Sequence, residues 1–300
     1  MAQLKNIAIV LKPKAVSEFQ IILPNLVNWL LRRKKTVLFL DHEIDRLTDI
    51  LKNNNKDVLF ITQDELHTET DLIITLGGDG TLIGVCRNIK KTSPPIFGVN
   101  MGTLGFITEF SKSEFFDELE ATMKGNFETT SLNLQQVEVF NKGKSNFKGY
   151  FLNDVVVTNN HISRMLTLTI EANDEHIYNL SGDGLIISSP IGSTAYSLAA
   201  GGPIIHPMVN ALVMTPICAH SLTHRPLVLP DTSEMMIKAA KSGESIRVTL
   251  DGQQALTMTS AEHLKVSRAK NKVIRLVKNP SRTFFRTLKD KFTHGAREIK

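Results

Sequence analysis

Apolar and polar positions in the first part of the chain follow two alternating patterns. Short, almost continuous apolar runs are typical of buried strands, and between them apolar residues recur three and four positions apart, as in an amphipathic helix. Strands that alternate with helices predict a doubly wound, mostly parallel sheet with helices on its faces, an α/β domain. The predicted strands are NIAIVL at 6–11, TVLFL at 36–40, DVLFI at 57–61, DLIITL at 71–76 and PPIFGVN at 94–100, and the predicted helices span residues 17–35 and 81–91.

The first predicted helix carries two local signals. Ser17 stands where an N-terminal cap is expected. Pro24 lacks an amide hydrogen, so we expect it to kink or split the helix.

Beyond Gly125 the pattern changes to short β-rich runs separated by polar or glycine turns, which predicts a mainly antiparallel β domain. We place the α/β domain at residues 1–125 and the β-rich domain at 126–274. The closing runs VIRLV at 273–277 and FFRTLKDKF at 284–292 have the character of a strand and a helix. We expect the segment 275–300 to return to the first domain, although the pattern also allows it to stay with the second.

Length and composition agree with a globular chain of two domains. The 300 residues, 42% of them hydrophobic, can bury a sizeable core, and a domain usually has roughly 100 to 200 residues. Lys and Arg number 35 against 30 Asp and Glu, a formal net charge of +5, which mildly favours anionic partners such as phosphates. Much of the surplus lies beyond residue 266, where interspersed apolar residues favour an ordinary strand and helix over a nucleic-acid site.

The cysteines and the lengths of the apolar runs indicate in which cellular compartment the protein is expected. Cys86 and Cys218 lie far apart without a CxxC pair, so neither a disulfide framework nor a zinc site is indicated. The first apolar run reaches Pro13 too early for a signal peptide, and no stretch approaches the roughly 20 apolar residues of a membrane span. We therefore expect a cytoplasmic protein that is neither exported nor embedded in a membrane.

The stretch TLGGDGTL, residues 75–82, gives the clearest sign of chemistry. An apolar run breaks into a glycine-rich turn that opens a helix, and the backbone N–H groups and dipole of such a helix start bind phosphate. Glycines let the main chain approach closely because no Cβ intervenes. The pattern is neither the Walker A motif nor the dinucleotide motif G-x-G-x-x-G. The predicted phosphate-donor loop consists of Gly77, Gly78, Gly80 and Thr81.

Asp79 lies in this turn, where phosphate oxygens would repel its carboxylate. It either meets another group, most simply a hydroxyl whose proton it accepts, or it only stabilises the turn or caps the helix. The octapeptide alone leaves both interpretations open.

Two segments of the β-rich part have a similar ambiguity. Asn153 and Asp154 interrupt a strand-like run, either as a β-bulge or edge exposure or as a pair that binds ribose hydroxyls and adenine edges. Further on, Ser193 or Thr194 can cap a helix and leave N–H groups for an anion, while the ring of Tyr196 can stack on a base. The alternative there is a capped core helix with a buried tyrosine.

The longer motifs resemble those of the NAD kinase family in its bacterial form. The long central block is the specific part, because GGDG alone also occurs in phosphofructokinases and in diacylglycerol and sphingosine kinases. The first 70 residues are similar only in their alternation of strand and helix. In the family's order, the motifs are GGDGTL at 77–82, IFGVNMGTLGF at 96–106, LND at 152–154, SGDGLIISSPIGSTAYSLAAGGPIIHP at 181–207, PICAHSLTHRPLVLP at 216–230 and DGQ at 251–253.

The resemblance implies an activity and a general organisation. The activity is transfer of the γ-phosphoryl group of ATP, carried with Mg²⁺ or another divalent cation, to the 2′-hydroxyl of the adenosine ribose of NAD, which yields NADP. The fold implied is an α/β domain joined to a β-sandwich-like domain, assembled as a homodimer or homotetramer. The family's GGDG aspartate, here Asp79, deprotonates or orients the acceptor hydroxyl, and no direct protein ligand to the metal is expected.

The resemblance also carries over NAD-binding residues. The family commonly has Asn-Glu where this chain has Asn153 and the shorter Asp154, and it often has Thr-Pro-Thr-Gly-Ser where this chain has Ser-Pro-Ile-Gly-Ser, with Ile191 in place of a hydroxyl. Asp183 is implied to act on the nicotinamide side, often across a subunit interface, and Arg164 near a dinucleotide phosphate. The residues carried over are Asp79, Gly80, Asn153, Asp154, Arg164, Asp183, Thr194, Ala195, Tyr196, Ser197 and Gln253.

Some of these residues have a plain structural interpretation. Asp183 can be a turn aspartate, Arg164 a solvated surface arginine and Gln253 an exposed turn residue. His220 and His224 have the i, i+4 spacing of zinc ligands on a helix, but three prolines crowd the segment and no glutamate completes the set. We interpret both histidines as structural or as lining the site.

Two other functions are compatible with the glycine turn. A lipid or sugar hydroxyl could be the acceptor, and the lack of an amphipathic basic helix for a membrane surface weakens the lipid version. A dinucleotide sensor without catalysis would be expected to lack Asp79, which is present.

Overall fold

The structure is a computed structural model that describes residues 4–14, 17–51, 57–102, 105–160 and 165–297, with side chains through residue 292. The chain divides into two compact units: one combines Met1–Leu132 with Lys272–Lys300, and the other is Asn133–Asn271. A compact unit is defined by contacts and a domain by independent folding, so the domain limits predicted from the sequence stay a prediction.

Parallel strands form the sheet of the first unit. They run in the spatial order β3-β2-β1-β4-β5, and β6 adds to β5 in the same direction. The bounds are β1 Asn6–Leu11, β2 Thr36–Leu40, β3 Val58–Ile61, β4 Leu72–Gly77, β5 Pro95–Asn100 and β6 Phe110–Ser111. The helices between them are α1 Phe19–Arg32, α2 Ile44–Leu51, α3 Asp79–Arg87 and α4 Phe115–Met123, with a 3-10 turn at Asp41–Glu43.

Helices cover both faces of this sheet. On one face, α1, α2 and α4 contribute to one buried apolar cluster together with alternate residues of the strands. Helix α3 packs against β1 and β4. Its Leu82 lies against Gly98 of β5, whose neighbours Phe97 and Val99 belong to the cluster on the first face. Because successive residues of a strand point to opposite faces, α3 covers the other face, and the predicted doubly wound α/β architecture is confirmed.

Helix α1 differs from the sequence prediction at both local signals. It continues through Pro24 as a single helix, and its N-cap is Glu18, with no capping hydrogen bond from a described side chain. Ser17 instead donates its hydroxyl to the Glu18 carboxylate. Burial of the apolar face, with Leu23 and Leu26 fully buried, offsets the one backbone hydrogen bond that proline removes.

The second unit consists of antiparallel strands in two sheets. One sheet has the order β14-β13-β12-β9-β16-β17; the other joins β11, β10, β15 and the first part of β18, with β7 and β8 attached. The bounds are β7 Thr129–Asn141, β8 Lys144–Phe151, β9 Asp154–Asn159, β10 Leu166–Ala172, β11 Glu175–Gly182, β12 Gly184–Ser188, β13 Ala211–Ile217, β14 Leu227–Pro230, β15 Met235–Ala239, β16 Ser245–Leu250, β17 Gln254–Thr259 and β18 Glu262–Val277. A 3-10 turn at Gly192–Thr194 and the short α5, Tyr196–Ala199, connect β12 to β13.

Alternate residues of these strands build the core between the two sheets. Val155 and Val157 of β9 join a cluster to which strands of both sheets contribute, whereas Val156 between them belongs to a separate small cluster with Ile186. This period of two is the pattern of a sheet packed face to face with another sheet. The prediction of an antiparallel, sandwich-like second part is confirmed.

The end of the chain contributes to the first unit. Arg275 and Leu276, near the end of β18, pair in parallel with the start of β5. Helix α6, Phe284–Arg297, follows after a short turn. Among the described residues, no helix combines the length and the apolar character of a membrane span.

Candidate active site

The glycine turn lies at the carboxyl end of β4. Gly77 ends the strand, Gly78 is the N-cap of α3 in an extended conformation, and Thr81 donates its N–H to the Gly78 carbonyl. The predicted helix start at Thr81 is therefore wrong by two residues: Asp79 is the first residue of α3. The start of a helix favours a negative side chain, because its first N–H groups have no partners within the helix.

The Asp79 carboxylate is held from a distant part of the chain. Oδ2 accepts the N–H of Phe106 at 2.8 Å. Oδ1 accepts the N–H groups of Ile107 at 3.3 Å and of Thr108 at 3.0 Å, and the Thr108 hydroxyl at 2.8 Å. Four donors fix the plane and position of a half-buried carboxylate. The octapeptide gave no sign of this arrangement.

Two further features keep this arrangement in place. The hydroxyl of Thr108, which is fully buried, also accepts the side-chain amide of the buried Asn100 at 2.8 Å. Gly105 lies so close that an added Cβ would be 1.8 Å from Asp79 Oδ1. Only glycine leaves room at position 105 for the carboxylate as it is placed here.

In the second unit, Asn153 and Asp154 lie where β8 ends and β9 begins. The Asn153 side-chain oxygen is buried and has no hydrogen-bond donor among the described residues. A buried acceptor without a partner is costly, so it is a candidate to bind a donor from a ligand. Asp154 is 5% exposed. Burial and the neighbouring negative charge of Asp251 raise the pKa of the Asp154 carboxyl to about 7.

Asp251 fixes the backbone of this pair. Its carboxylate accepts the N–H groups of Leu152, Asn153 and Asp154 at distances of 2.7 to 3.2 Å, and its own N–H bonds to the Asp154 carbonyl at 2.8 Å. Asp251 has a φ of +50° in the tight turn between β16 and β17, a conformation that aspartate tolerates better than most residues. The DGQ motif was noted in the sequence, but nothing local indicated this role for its aspartate.

The turn after β12 packs closely against Asn153. Ser189 donates its N–H to the Asn153 carbonyl at 2.8 Å and its hydroxyl to the Leu152 carbonyl at 2.5 Å. A Cβ on Gly192 would be 2.0 Å from the Asn153 carbonyl oxygen. The structure therefore brings together two segments that the sequence singled out separately.

Residues 193–197 divide into buried and accessible side chains. Ser193 is fully buried and binds the Pro190 carbonyl and the Ile205 N–H. Ser197 is also fully buried, and its hydroxyl pairs with that of Thr215 at 2.8 Å, so its side chain supports the fold here. Thr194 donates its hydroxyl to the Ile191 carbonyl without capping α5. Tyr196 is 47% exposed.

The remaining predicted residues lie elsewhere in the second unit. Asp183 is exposed between β11 and β12, and it accepts the thiol of Cys218, which raises the pKa of that thiol. Gln253 is exposed in the same turn as Asp251. Arg164 lies outside the described residues.

His220 and His224, interpreted as structural or as lining the site, each make a contact within the second unit. His224 stacks on Tyr178 with ring centroids 4.4 Å apart, and the N–H of His220 bonds to the Ser181 carbonyl. Within the described part of the chain, no three His, Cys, Asp or Glu side chains converge as metal ligands.

A glycine turn at the carboxyl end of a parallel strand, opening a helix and carrying a fixed carboxylate, defines the class: an α/β protein that handles phosphate groups. Comparison with known families identifies it further. Residues 7–127 match the N-terminal domain of ATP-NAD kinases, and residues 152–278 match their C-terminal domain. The chain belongs to the ATP-NAD kinase family, as its motifs indicated, and its enzymatic activity is that of an NAD kinase.

Curated relatives align with most or nearly all of this chain. The NAD kinase of Geotalea daltonii is 36% identical, and the alignment covers 98% of this chain and all of the relative. The NAD kinase of Heliobacterium modesticaldum is 40% identical over 76% of this chain and 80% of its own length.

Solved structures show the same fold. Yeast NADH kinase complexed with NADH superimposes with a TM-score of 0.82 at 27% identity, over 93% of this chain and 84% of its own. An NAD kinase from Archaeoglobus fulgidus in complex with ATP has a TM-score of 0.72 at 22% identity, over 95% of this chain and 98% of its own.

Proposed function

We propose that this chain transfers the γ-phosphoryl group of ATP to the 2′-hydroxyl of the adenosine ribose of NAD, giving NADP and ADP, and that Asp79 accepts the proton of that hydroxyl. Family membership and the full-length relatives named NAD kinase support the substrate pair. The single observation that supports the catalytic role is the Asp79 carboxylate, fixed by four hydrogen bonds at the start of α3.

The hydrogen bonds leave a defined atom for the acceptor. A carboxylate has about four lone-pair sites; Oδ1 accepts three of the hydrogen bonds and Oδ2 only one. We assign the remaining lone pair of Oδ2 to the ribose hydroxyl. As the hydroxyl oxygen bonds to the γ-phosphorus, the bond from that phosphorus to the bridging oxygen of ADP breaks, and the hydroxyl proton passes to Oδ2.

The main chain around Asp79 is suited to the phosphate donor. Gly77 and Gly78 precede the helix, and Gly80 and Thr81 belong to its first turn, at the positive end of the helix dipole. Phosphoryl transfer needs positioning and charge neutralisation more than covalent help from the protein. On the basis of the family resemblance, we propose that the ATP phosphates hold the divalent cation, which would neutralise phosphate charge when bound.

The second unit supplies candidate contacts to NAD. The Asn153 side-chain oxygen, which has no donor among the described residues, suits a donor such as the adenine amino group, and Asp154 suits a ribose hydroxyl. The accessible ring of Tyr196 can stack on a base. We extend the proposal to Thr194, Ala195, Ser197, Asp183, Arg164 and Gln253 on the basis of the motifs alone.

Replacement of Asp79 by Asn tests the catalytic role. Because Asn has nearly the same shape and cannot accept the proton, we expect kcat to fall about 10²- to 10⁴-fold. We expect a much smaller change in the Kd for NAD, measured by calorimetry. Thermal unfolding controls for the altered hydrogen bonds to residues 106–108. Retained turnover in a folded Asp79→Asn variant would contradict the proposal.

The wild-type protein tests the substrate assignment. NAD and NADH are compared as acceptors, and ATP and inorganic polyphosphate as donors, with NADP or NADPH measured directly. Turnover with ATP and NAD is expected.

Size-exclusion chromatography with light scattering tests the proposed homodimer or homotetramer, and a monomer that turns over at full rate would contradict it.

A further inference from the structure

Arg282, just before α6, binds the segment that holds the catalytic carboxylate. One terminal nitrogen of its guanidinium donates to the Thr108 carbonyl at 2.9 Å, and the other donates to the Gly105 carbonyl at 2.8 Å. The guanidinium thus joins the two ends of the stretch 105–108. Its planar fork is suited to this, because the two donors keep a fixed separation.

The same stretch presents its N–H groups to Asp79. Phe106, Ile107 and Thr108 donate to the carboxylate, while the carbonyls of Gly105 and Thr108 accept from Arg282. The backbone therefore connects the guanidinium to the carboxylate through a few peptide units. A shift of the stretch would move the donors of Asp79 with it.

We propose that Arg282 is a positioning residue for Asp79, acting through the stretch 105–108; this rests on the proposed proton-accepting role of Asp79. No hydrogen bond between the two side chains is involved. Arg282 keeps the carboxylate at the distance and angle that phosphoryl transfer requires, where an error of about 1 Å can lower the rate about 10²-fold.

Further hydrogen bonds hold the segment of Arg282 next to residues 105–108. Asn279 donates its N–H to the Glu109 carboxylate at 2.6 Å and its side-chain amide to the Glu109 carbonyl at 3.2 Å, which fastens the next part of the same loop. Burial lowers the pKa of Arg282, and the charges of Glu109, Asp79 and Asp290 oppose that shift. A guanidinium stays charged at neutral pH even so, because its ordinary pKa lies far above neutrality.

Three variants test the proposal. Arg282→Gln removes the charge and the fork, and Arg282→Lys keeps the charge. Arg286→Gln is the matched control, because Arg286 is exposed and lines, together with Arg282, a cavity of about 420 Å³, while its described side chain makes no hydrogen bond to residues 105–108. Steady-state kinetics with ATP and NAD and thermal unfolding are measured for each.

We expect Arg282→Gln to lower kcat about ten- to hundredfold while KM for NAD changes less than about threefold. Arg282→Lys is expected to recover part of the loss, because an ammonium can bind one carbonyl well but lacks the fork. The control is expected to stay within about twofold of wild type. If Arg282→Gln does not fold, Arg282→Lys carries the test, and wild-type kcat in that variant overturns the proposal.

The double variant Asp79→Asn/Arg282→Gln separates the two claims. If Arg282 acts through Asp79, the arginine replacement should cost less than about threefold in the Asp79→Asn background. An equal loss in both backgrounds, or wild-type kcat in Arg282→Gln, overturns the role of Arg282 alone. Retained turnover in Asp79→Asn instead overturns the role of Asp79.

Discussion

The substitution Gly105→Ala should disturb the position of the Asp79 carboxylate directly. The new Cβ would lie 1.8 Å from Asp79 Oδ1 and 2.3 Å from its Cγ. Gly105 is outside the left-handed region, so alanine strains the backbone little. The cost therefore comes from contact with the carboxylate.

The required displacement can be worked from the structure. Real Cβ atoms essentially never come within 3.0 Å of such a neighbour, so Oδ1 must retreat by about 1.2 Å from its present 1.8 Å. A shift of that size stretches the hydrogen bonds from Phe106 and Thr108, now 2.8 to 3.0 Å long, beyond useful range. Because a hydrogen bond to a charged group contributes about 1.5 to 3 kcal/mol, we expect stability to fall by about 2 kcal/mol for each of these bonds that is lost. If this carboxylate accepts the proton as proposed, its displacement by about 1 Å should lower kcat about 10²-fold.

The assay measures NADP formation by Gly105→Ala below its melting temperature, alongside thermal unfolding. Gly102→Ala is the control from the same loop, because among the described residues its Cβ would have one neighbour within 4 Å, Asn100 Oδ1 at 3.9 Å. We expect a change within about twofold. A folded Gly105→Ala protein with wild-type kcat would refute the reasoning. It would mean that the carboxylate does not work in the position seen here.

Two further predictions concern protons and metal. The pKa of Asp154 is about 7 in the folded chain against 3.8 as its ordinary value, so between these pH values the folded state binds more protons, and stability falls as pH rises. The loss can reach about 4 kcal/mol, because each pH unit between the two pKa values contributes about 1.36 kcal/mol. Asp154→Asn should remove this pH dependence. Denaturation curves in which wild type and Asp154→Asn lose the same stability between pH 5 and pH 8 would contradict the prediction. Chelation of divalent cations should abolish turnover and leave the melting temperature unchanged, because we propose that the ATP phosphates and not the protein hold the ion; a melting temperature that falls on chelation would point to a protein-held ion instead.

Much of the fold could be read from local patterns. The strands β1 to β5 begin and end within a residue or two of their predictions, and the apolar runs of β1, β4 and β5 are buried on both faces. The two-residue strand β6 was not predicted. The short helices α2 and α4 were missed, since eight or nine residues give a weak periodic signal. The continuity of α1 through Pro24 was also missed, because it depends on burial against the sheet rather than on propensity.

The sequence alone determined which segments carry chemistry: the glycine turn with Asp79, the pair Asn153 and Asp154, and the overall alternation of elements. Only the tertiary structure decided what holds those groups. The donors to Asp79 lie 27 to 29 positions further along the chain, Arg282 lies 174 positions beyond Thr108, and Asp251 lies 98 positions beyond Asn153. Periodicity reports neighbours a few residues apart, whereas these hydrogen bonds exist only once folding has brought distant backbone groups within about 3 Å of one another.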